Sequence, residues 1–250
     1  MADKQQYHSE TIDLPSEGRV YSKDSPLASG KIEIKYMTAK EEDILTSQNL
    51  IKKGVVIDRL LDSLIMTPNI SQNDLILGDK NAVMVAARVL AYGPEYTTEI
   101  INPDTDEKTQ HTFNLADCPF KKLPDDVSGN EFEIELPTSK ISIKFRLLTG
   151  KEEKQIDQQV ASSKKIGLQI SSELTTRLKY SVISVDGETD KPKINNFIDN
   201  MLARDSLVLR NKIVEISPDI EMKQEIDLGD EMVEVDIPLT IEFFWPSALT

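Results

Sequence analysis

The stretch that decides the fold occurs twice, as KIEIKYMTAKEE at residues 31–42 and as KISIKFRLLTGKEE at residues 140–153. In the first copy, Ile32, Ile34 and Tyr36 alternate with charged residues. Such a period of two is typical of a strand with one buried face. Each copy then continues with Thr, a small residue and Lys-Glu-Glu, so each predicts a strand that runs into a helix.

The Thr-x-x-Glu spacing predicts where both helices start. Thr38 and Glu41 in the first copy, and Thr149 and Glu152 in the second, have the spacing of a capping box. In such a box the Thr side chain and the Glu side chain each satisfy a backbone N–H at the helix start. Neighbouring residues on a helix point in different directions, so the Glu-Glu pairs do not converge on one reacting atom. The boxes therefore predict structural roles.

The similarity extends upstream of the two strands. The segment ending in Leu14-Pro15-Ser16 pairs with the segment ending in Leu136-Pro137-Thr138. We therefore expect an α+β protein of two related modules from an internal duplication, each built as strand, helices and antiparallel hairpin. The first module is residues 1–115, with an extended segment at 1–30; the linker is 116–130, and the second module is 131–250.

Periodicity and turn residues predict the elements of each module. In the first, we expect helices from Thr38 to about Lys53, over Val55–Met66, and over Lys80–Tyr92 with Asp79 as cap, then a hairpin of Tyr96–Ile101 and Gln110–Leu115. In the second, we expect strands Phe132–Leu136 and Ile141–Leu147, helices Lys151–Lys165, Leu168–Ser184, Lys193–Leu202 and Asp205–Ile216, and strands Ile220–Ile226 and Met232–Phe244.

Charge and composition argue against several classes of function. The net charge of −14 disfavours a nucleic-acid surface, which needs an excess of Lys and Arg. No segment approaches the ~18 apolar residues that a membrane span requires, and the polar start MADKQQYHSE is not a signal peptide. With Cys118, His8 and His111 as the only Cys and His residues, a metal site is poorly supplied.

No catalytic motif is present in the sequence. It contains no phosphate-binding loop, no GxGxxG after a strand, no HExxH and no GxSxG. Asp104, Asp106 and Glu107 resemble the start of a calcium loop but lack its central Gly and its final Glu, so we interpret them as a polar hairpin tip. We expect no enzyme, no cofactor and no small-molecule substrate.

The aromatic run near the C-terminus has two interpretations. Phe243, Phe244, Trp245 and Pro246 follow a segment in which Pro238 has no N–H for a strand ladder. The run closes the core of the second module, or it presents an aromatic anchor to another subunit. Both interpretations stay open, because neighbouring residues on a strand face opposite ways.

Several stretches together resemble a known family. They are LPSEG at 14–18 followed by Tyr21, GKIEIKYMTAKEE at 30–42, GDK at 78–80 with Arg88, Tyr92-Gly93 and Tyr96, and IPLTIEFFWP at 237–246. In combination they are similar to the baseplate hub assembly proteins of T-even-like contractile-tailed phages. The resemblance spans most of the chain.

The resemblance implies a non-enzymatic role in building the hub at the tip of the phage tail. Its implied partners are hub, tail-tube or tape-measure proteins, in the host cytoplasm during assembly and in the baseplate of the virion. The alternative is a cytoplasmic adaptor or assembly chaperone that is not retained in the virion. Many relatives carry a Cys-Pro-x-Cys knuckle where this chain has Asn102-Pro103-Asp104-Thr105, so zinc binding is not expected here.

Overall fold

A computed structural model describes residues 7–101, 108–165, 172–227, 232–237, 239 and 241–244. Its first half contains β1 (Ser9–Asp13), β2 (Lys31–Lys35), α1 (Ala39–Leu45), α2 (Gln48–Lys52), α3 (Val56–Leu64), α4 (Leu77–Tyr92), β3 (Glu95–Ile101), β4 (Lys108–Asn114) and β5 (Phe120–Lys121). The predicted hairpin tip with Asn102 and Thr105 lies outside the described residues.

The second half also begins with two strands and continues with helices, but a further strand lies between its second and third helices. It contains β6 (Phe132–Glu135), β7 (Ser142–Phe145), α5 (Gly150–Lys165), α6 (Glu173–Ser181), β8 (Val182–Val185), α7 (Lys191–Asp199), α8 (Ala203–Ile216), β9 (Asp219–Ile220), β10 (Lys223–Asp227) and β11 (Met232–Asp236). A short 3-10 helix, Ile241–Phe244, follows. The predicted helix start at Leu168 lies outside the described residues.

The sheets are small and antiparallel. β1 pairs with β2 with Ile12 opposite Ile32, and β6, β7 and β8 form a three-stranded sheet with Phe132 opposite Phe145. The pairs β3–β4, β10–β11 and β5–β9 complete the sheets of the described residues. Helices pack on these hairpins, so the predicted α+β class is confirmed.

The helix predicted from Thr38 to Lys53 is in fact two helices. The Thr46 hydroxyl donates to the carbonyls of Glu42 and Asp43, at 3.1 and 3.3 Å, and Ser47 is extended. Side chains of this kind compete with the backbone for hydrogen bonds and interrupt helices. The chain therefore turns between α1 and α2, which the apolar periodicity alone does not indicate.

Asp79 does not cap a helix as predicted. Helix α4 begins at Leu77, and Asp79 is its third residue, fully buried. Its carboxylate accepts hydrogen bonds from the backbone N–H and hydroxyl of Ser16, at 2.9 and 2.6 Å, and from the Tyr21 hydroxyl at 2.6 Å. Asp79 therefore fixes the N-terminal turn onto α4.

The predicted strand Met232–Phe244 is also too long. The ladder ends at Asp236, and the chain enters the 3-10 helix that contains Phe243 and Phe244. Pro238 has no N–H to donate, which is incompatible with a continuous ladder. The two Phe residues thus leave the hairpin and pack elsewhere.

The segment predicted as a linker is held against both halves. β5 pairs with β9, and the Arg19 guanidinium donates to the carbonyls of Leu123 and Pro124, both at 3.0 Å. The backbone N–H of Gly129 in turn donates to the Arg19 carbonyl at 2.8 Å. Residues 116–130 are therefore tied to both halves, with Cys118 in the first core and Leu123 in the second.

The two hydrophobic cores exchange segments across that linker. The first core is built on β2, α3 and α4, and it also takes in residues from the far end of the chain: Ile220, Met222, Ile226, Ile237, Phe243 and Phe244. The second core, built on β7, β8 and α6 to α8, takes in Val20 and Ile76 from the first half. The division into domains at 116–130 stays a prediction, while the cores are shared across it.

The two halves repeat more than their strands. Asp205 is the third residue of α8, as Asp79 is of α4, and it accepts from the N–H groups of Thr138 and Ser139 at 2.8 and 3.0 Å. Each buried carboxylate thus holds the turn that follows a Leu-Pro pair. The match supports the duplication, which stays a prediction that superposing the two halves tests.

Candidate functional site

An open cleft lies between the start of α4 and elements of the second half. Its volume is about 630 Å³, and its walls are the start of α4, the loop after β7, the helices α5, α6 and α8, and residues 217–219. Ile76, which belongs to the second core, forms part of the wall just before α4. Such a position at a junction of structural units is common for binding sites.

Glycine makes the close approach at the back of the cleft possible. A Cβ at Gly78 would lie 1.8 Å from the carbonyl oxygen of Pro218, so only Gly fits at this position of α4. One turn further along the helix face, the Asn81 side-chain amide donates to the Asp219 carboxylate at 3.0 Å. These contacts fix α4 against the segment that follows α8, and they set the width of the cleft.

Large apolar side chains surround the mouth of the cleft. Leu77 is 47% exposed, Leu174 is 43% exposed and Val214 is 66% exposed. They come from α4, α6 and α8 respectively. Single exposed apolar residues are ordinary, but a group of them around one concave opening is typical of an interaction surface.

The charged groups of the cleft are partly neutralised by neighbours. Arg177 makes two parallel hydrogen bonds to the Glu153 carboxylate, at 2.7 and 2.6 Å, and Arg146 contacts Glu152 at 3.1 Å. Arg210 differs, because its Nε donates to the Ser206 carbonyl of its own helix at 3.3 Å and it makes no ion pair with the residues that the structure describes. Arg210 is therefore available for a carboxylate from outside.

Further polar groups of the cleft are engaged by neighbouring groups of the protein. Burial raises the pKa of Asp219, although the Asn81 hydrogen bond acts in the opposite direction. Ser181 donates its hydroxyl to the Arg146 carbonyl at 2.6 Å and is not paired with a general base. Within the described ranges, no three Cys, His, Asp or Glu side chains are grouped as a metal site requires. The lining offers apolar contacts, three guanidinium groups and the carboxylates of Glu153, Glu173 and Asp219.

The predicted box residues meet at the start of α1. The Glu41 carboxylate accepts from the backbone N–H and the hydroxyl of Thr38, at 3.0 and 2.6 Å, and from the Ser63 hydroxyl at 2.7 Å. Lys35 donates to it at 2.7 Å. Burial alone would raise the pKa of Glu41, but the hydrogen bonds from Lys35, Ser63 and Thr38 outweigh burial and lower that pKa to about 2.

The second box has the same arrangement at the edge of the cleft. The Glu152 carboxylate accepts from the backbone N–H of Thr149 at 2.9 Å and from the Thr149 hydroxyl. Arg146 occupies the place that Lys35 has in the first half, three residues before the Thr. Burial tends to raise the pKa of Glu152, and the Thr149 hydrogen bonds with the Arg146 charge lower it overall. Through Arg146, this box adjoins the cleft.

Of the aromatic run, the structure describes Phe243 and Phe244. Phe243 and Phe244 are 0% and 1% exposed, and the Phe243 ring lies 5.1 Å from the ring of Tyr96. They therefore pack in the first core. The expectation that the run closes the core of the second module is wrong, because these two rings belong to the core of the first half. Trp245 and Pro246 lie outside the described residues. An anchoring role for these four residues stays a prediction.

The residues of the cleft were not predicted from the sequence. Leu77, Leu174 and Val214 each belong to an amphipathic or apolar stretch, in which periodicity does not distinguish a core position from an exposed one. The weak signal was Gly78, a glycine in the first turn of α4, since a glycine within a helix often has a packing reason. Only the tertiary structure brings the three apolar residues to one opening.

Comparison with known proteins gives one match. A family model described as T4 bacteriophage base plate protein matches residues 8–245. No curated protein and no solved structure matches the chain significantly. Within the described part of the chain, no helix has both the length and the apolar character needed to cross a bilayer.

Proposed function

This chain belongs to the T4 bacteriophage base plate protein family, and from that premise we propose that it is a non-enzymatic structural and assembly protein of the baseplate hub. The observation that carries the proposal is the extent of the family match, residues 8–245. It includes both halves of the fold, so the assignment does not rest on one shared module. The family expected from the sequence is confirmed, while the hub is our more specific proposal.

The structure supports a role in binding. The cleft presents Leu77, Leu174 and Val214 to solvent, next to a guanidinium group on Arg210. The buried centres of protein interfaces are rich in apolar surface, and Arg is enriched there. We propose that the protein acts by docking neighbouring proteins in a fixed order, with hub, tail-tube or tape-measure proteins as partners.

The proposal includes where the protein acts. It joins its partners in the host cytoplasm during assembly and becomes part of the tail baseplate of the virion. The family match supports the baseplate, and the hub partners follow from the resemblance of the sequence stretches at 30–42 and 237–246.

Loss of the protein during infection tests the proposal. A phage with a nonsense codon in this gene should accumulate baseplate parts without a complete hub in a non-suppressing host, and the gene supplied in trans should restore complete baseplates. Electron microscopy of gradient-purified assemblies measures both. Complete hubs formed without the protein would overturn the proposal.

Mass spectrometry of purified tails gives the second result of the same experiment. A fixed number of copies in every finished tail supports a structural component that remains in place. Presence in assembly intermediates together with absence from finished tails would contradict retention in the virion and would support an assembly chaperone.

A further inference from the structure

We propose that the cleft between the start of α4 and helices α5, α6 and α8 is the docking site for one segment of another baseplate protein. The segment carries apolar side chains beside an Asp or Glu, which pairs with Arg210. This inference rests on the proposed function and names the surface through which that function is exerted.

Three exposed apolar side chains converge on the cleft. Leu77, Leu174 and Val214 belong to three different helices, and all of them line the same opening. Their exposed fractions are 47%, 43% and 66%, so much apolar surface is in contact with water in the isolated chain. Covering such surface with another apolar surface is favourable, because it removes that surface from water. The volume of about 630 Å³ accommodates a few inserted side chains.

The charge of the occupant follows from the arginines. Arg177 and Arg146 already contact Glu153 and Glu152. Arg210 lines the same cleft, and among the described residues it has no carboxylate partner. A carboxylate from the docked segment would make a charge-assisted hydrogen bond there, in a region partly shielded from water by the apolar residues. The occupant is therefore apolar with at least one acidic residue.

The net charge makes a different protein the better occupant than a second copy. Each chain carries −14, so two copies repel each other as they approach. The same charge opposes nucleic acid, which binds through an excess of basic residues over an extended surface. A short segment of another protein brings an acidic residue to Arg210 without bringing a second highly negative surface with it.

A photo-crosslinking residue placed at Val214 tests the inference in infected cells. The matched control is the same residue at Met232, which is 62% exposed and does not line the cleft. We expect the Val214 variant to crosslink to one segment of a single baseplate protein, with an Asp or Glu among apolar residues, as mass spectrometry of the crosslinked peptide would show. The Met232 variant should not crosslink to that segment.

Charge reversal tests the proposed contact. Arg210→Glu should lower the yield of the Val214 crosslink at least about tenfold, the size expected from loss of a strong interface contact. Reversal of the acidic residue in the partner should restore the yield. Thermal unfolding of purified Arg210→Glu checks that the variant is folded, and Leu174→Gln, which adds no charge, provides a second variant that acts on the apolar part.

The outcomes separate this inference from the proposed function. A crosslink to a second copy of the chain, to a host protein, or to nothing while the protein still enters baseplates would overturn the docking site and leave the proposed function standing. Absence of the protein from baseplates and from all their assembly intermediates would overturn the proposed function itself.

Discussion

At the scale of single residues, Glu41 makes the stability of the fold depend on pH. Its pKa falls from an ordinary 4.5 to about 2 in the folded chain. The unfolded chain therefore takes up a proton first as the pH falls. The stabilisation is complete above about pH 4.5 and is lost between there and about pH 2, a change on the order of 3 kcal/mol. Urea unfolding at a series of pH values measures it, and Glu41→Gln should flatten this part of the curve.

The Glu41→Gln variant itself should be destabilised by about 3–5 kcal/mol at neutral pH, because it leaves the buried Lys35 ammonium without its carboxylate. The control is the double variant Lys35→Met with Glu41→Gln, which removes both charges and keeps an acceptor for the Thr38 N–H. It should recover most of the loss. Equal stability of the single and double variants would contradict the assignment of the pair.

Thr38→Ala and Thr149→Ala should each lower the free energy of unfolding by about 1 kcal/mol, the usual cost of losing a helix cap. Each hydroxyl donates to the Glu of its own box, Glu41 or Glu152. Thr→Ser at the same positions keeps the hydroxyl and serves as the control. Unchanged denaturation midpoints for both Ala variants would show that the boxes do not stabilise the helix starts.

Residue-scale features were predictable where the signal is local. The Thr-x-x-Glu spacing was enough to place Thr38, Glu41, Thr149 and Glu152 at helix starts, because capping is a contact between residues three positions apart. The contacts of Glu41 with Ser63 and of Asp79 with Ser16 were not predictable. They join residues that are distant in sequence, and no local pattern specifies them.

At the scale of elements, the packing of α4 against the segment after α8 depends on Gly78. Ala in place of Gly normally stabilises a helix by up to about 1 kcal/mol. Here the added Cβ would lie 1.8 Å from the Pro218 carbonyl oxygen, a backbone atom that cannot move by rotating a side chain. We expect Gly78→Ala to destabilise by about 1–3 kcal/mol instead, as overpacking does.

Thermal unfolding measures the change in stability that Gly78→Ala causes. A lower midpoint indicates overpacking against Pro218, and a higher midpoint indicates only the ordinary gain in helix propensity. A comparison variant is Gly54→Ala, where the added Cβ would meet nothing within 4 Å and only the positive φ of +67° opposes it. Because Gly78 fixes a wall of the cleft, Gly78→Ala should also lower the crosslinking yield from Val214. A stabilised Gly78→Ala variant would mean that α4 does not approach Pro218 so closely.

At the scale of the whole molecule, each core should respond to its own residues. Phe243→Ala should cost about 3–5 kcal/mol and lower the hydrogen-exchange protection of α4, β3 and β4, which pack in the first core with Phe243. Phe145→Ala, at an equally buried residue of the second core, should lower the protection of β6 to β8 instead. The reverse pattern, or a loss in the second core from Phe243→Ala, would contradict the shared-core arrangement.

The overall class was predictable and the connections between the halves were not. Alternation and capping signals are repeated in the sequence, so they indicated an α+β protein with two similar halves. The same alternation in residues 220–237 indicates only that one face is buried. It does not indicate against which core, so the packing of Ile226 and Phe243 on the first half required the tertiary structure.

The return of residues 220–244 to the first core has a consequence for synthesis on the ribosome. Chains usually fold from the N-terminus as they emerge, but here the earlier core lacks Ile226, Phe243 and Phe244 until the ribosome has passed residue 244. A nascent chain interrupted before that point has an incomplete first core and is open to proteolysis. The first core is therefore completed only after the second half of the chain has been synthesised.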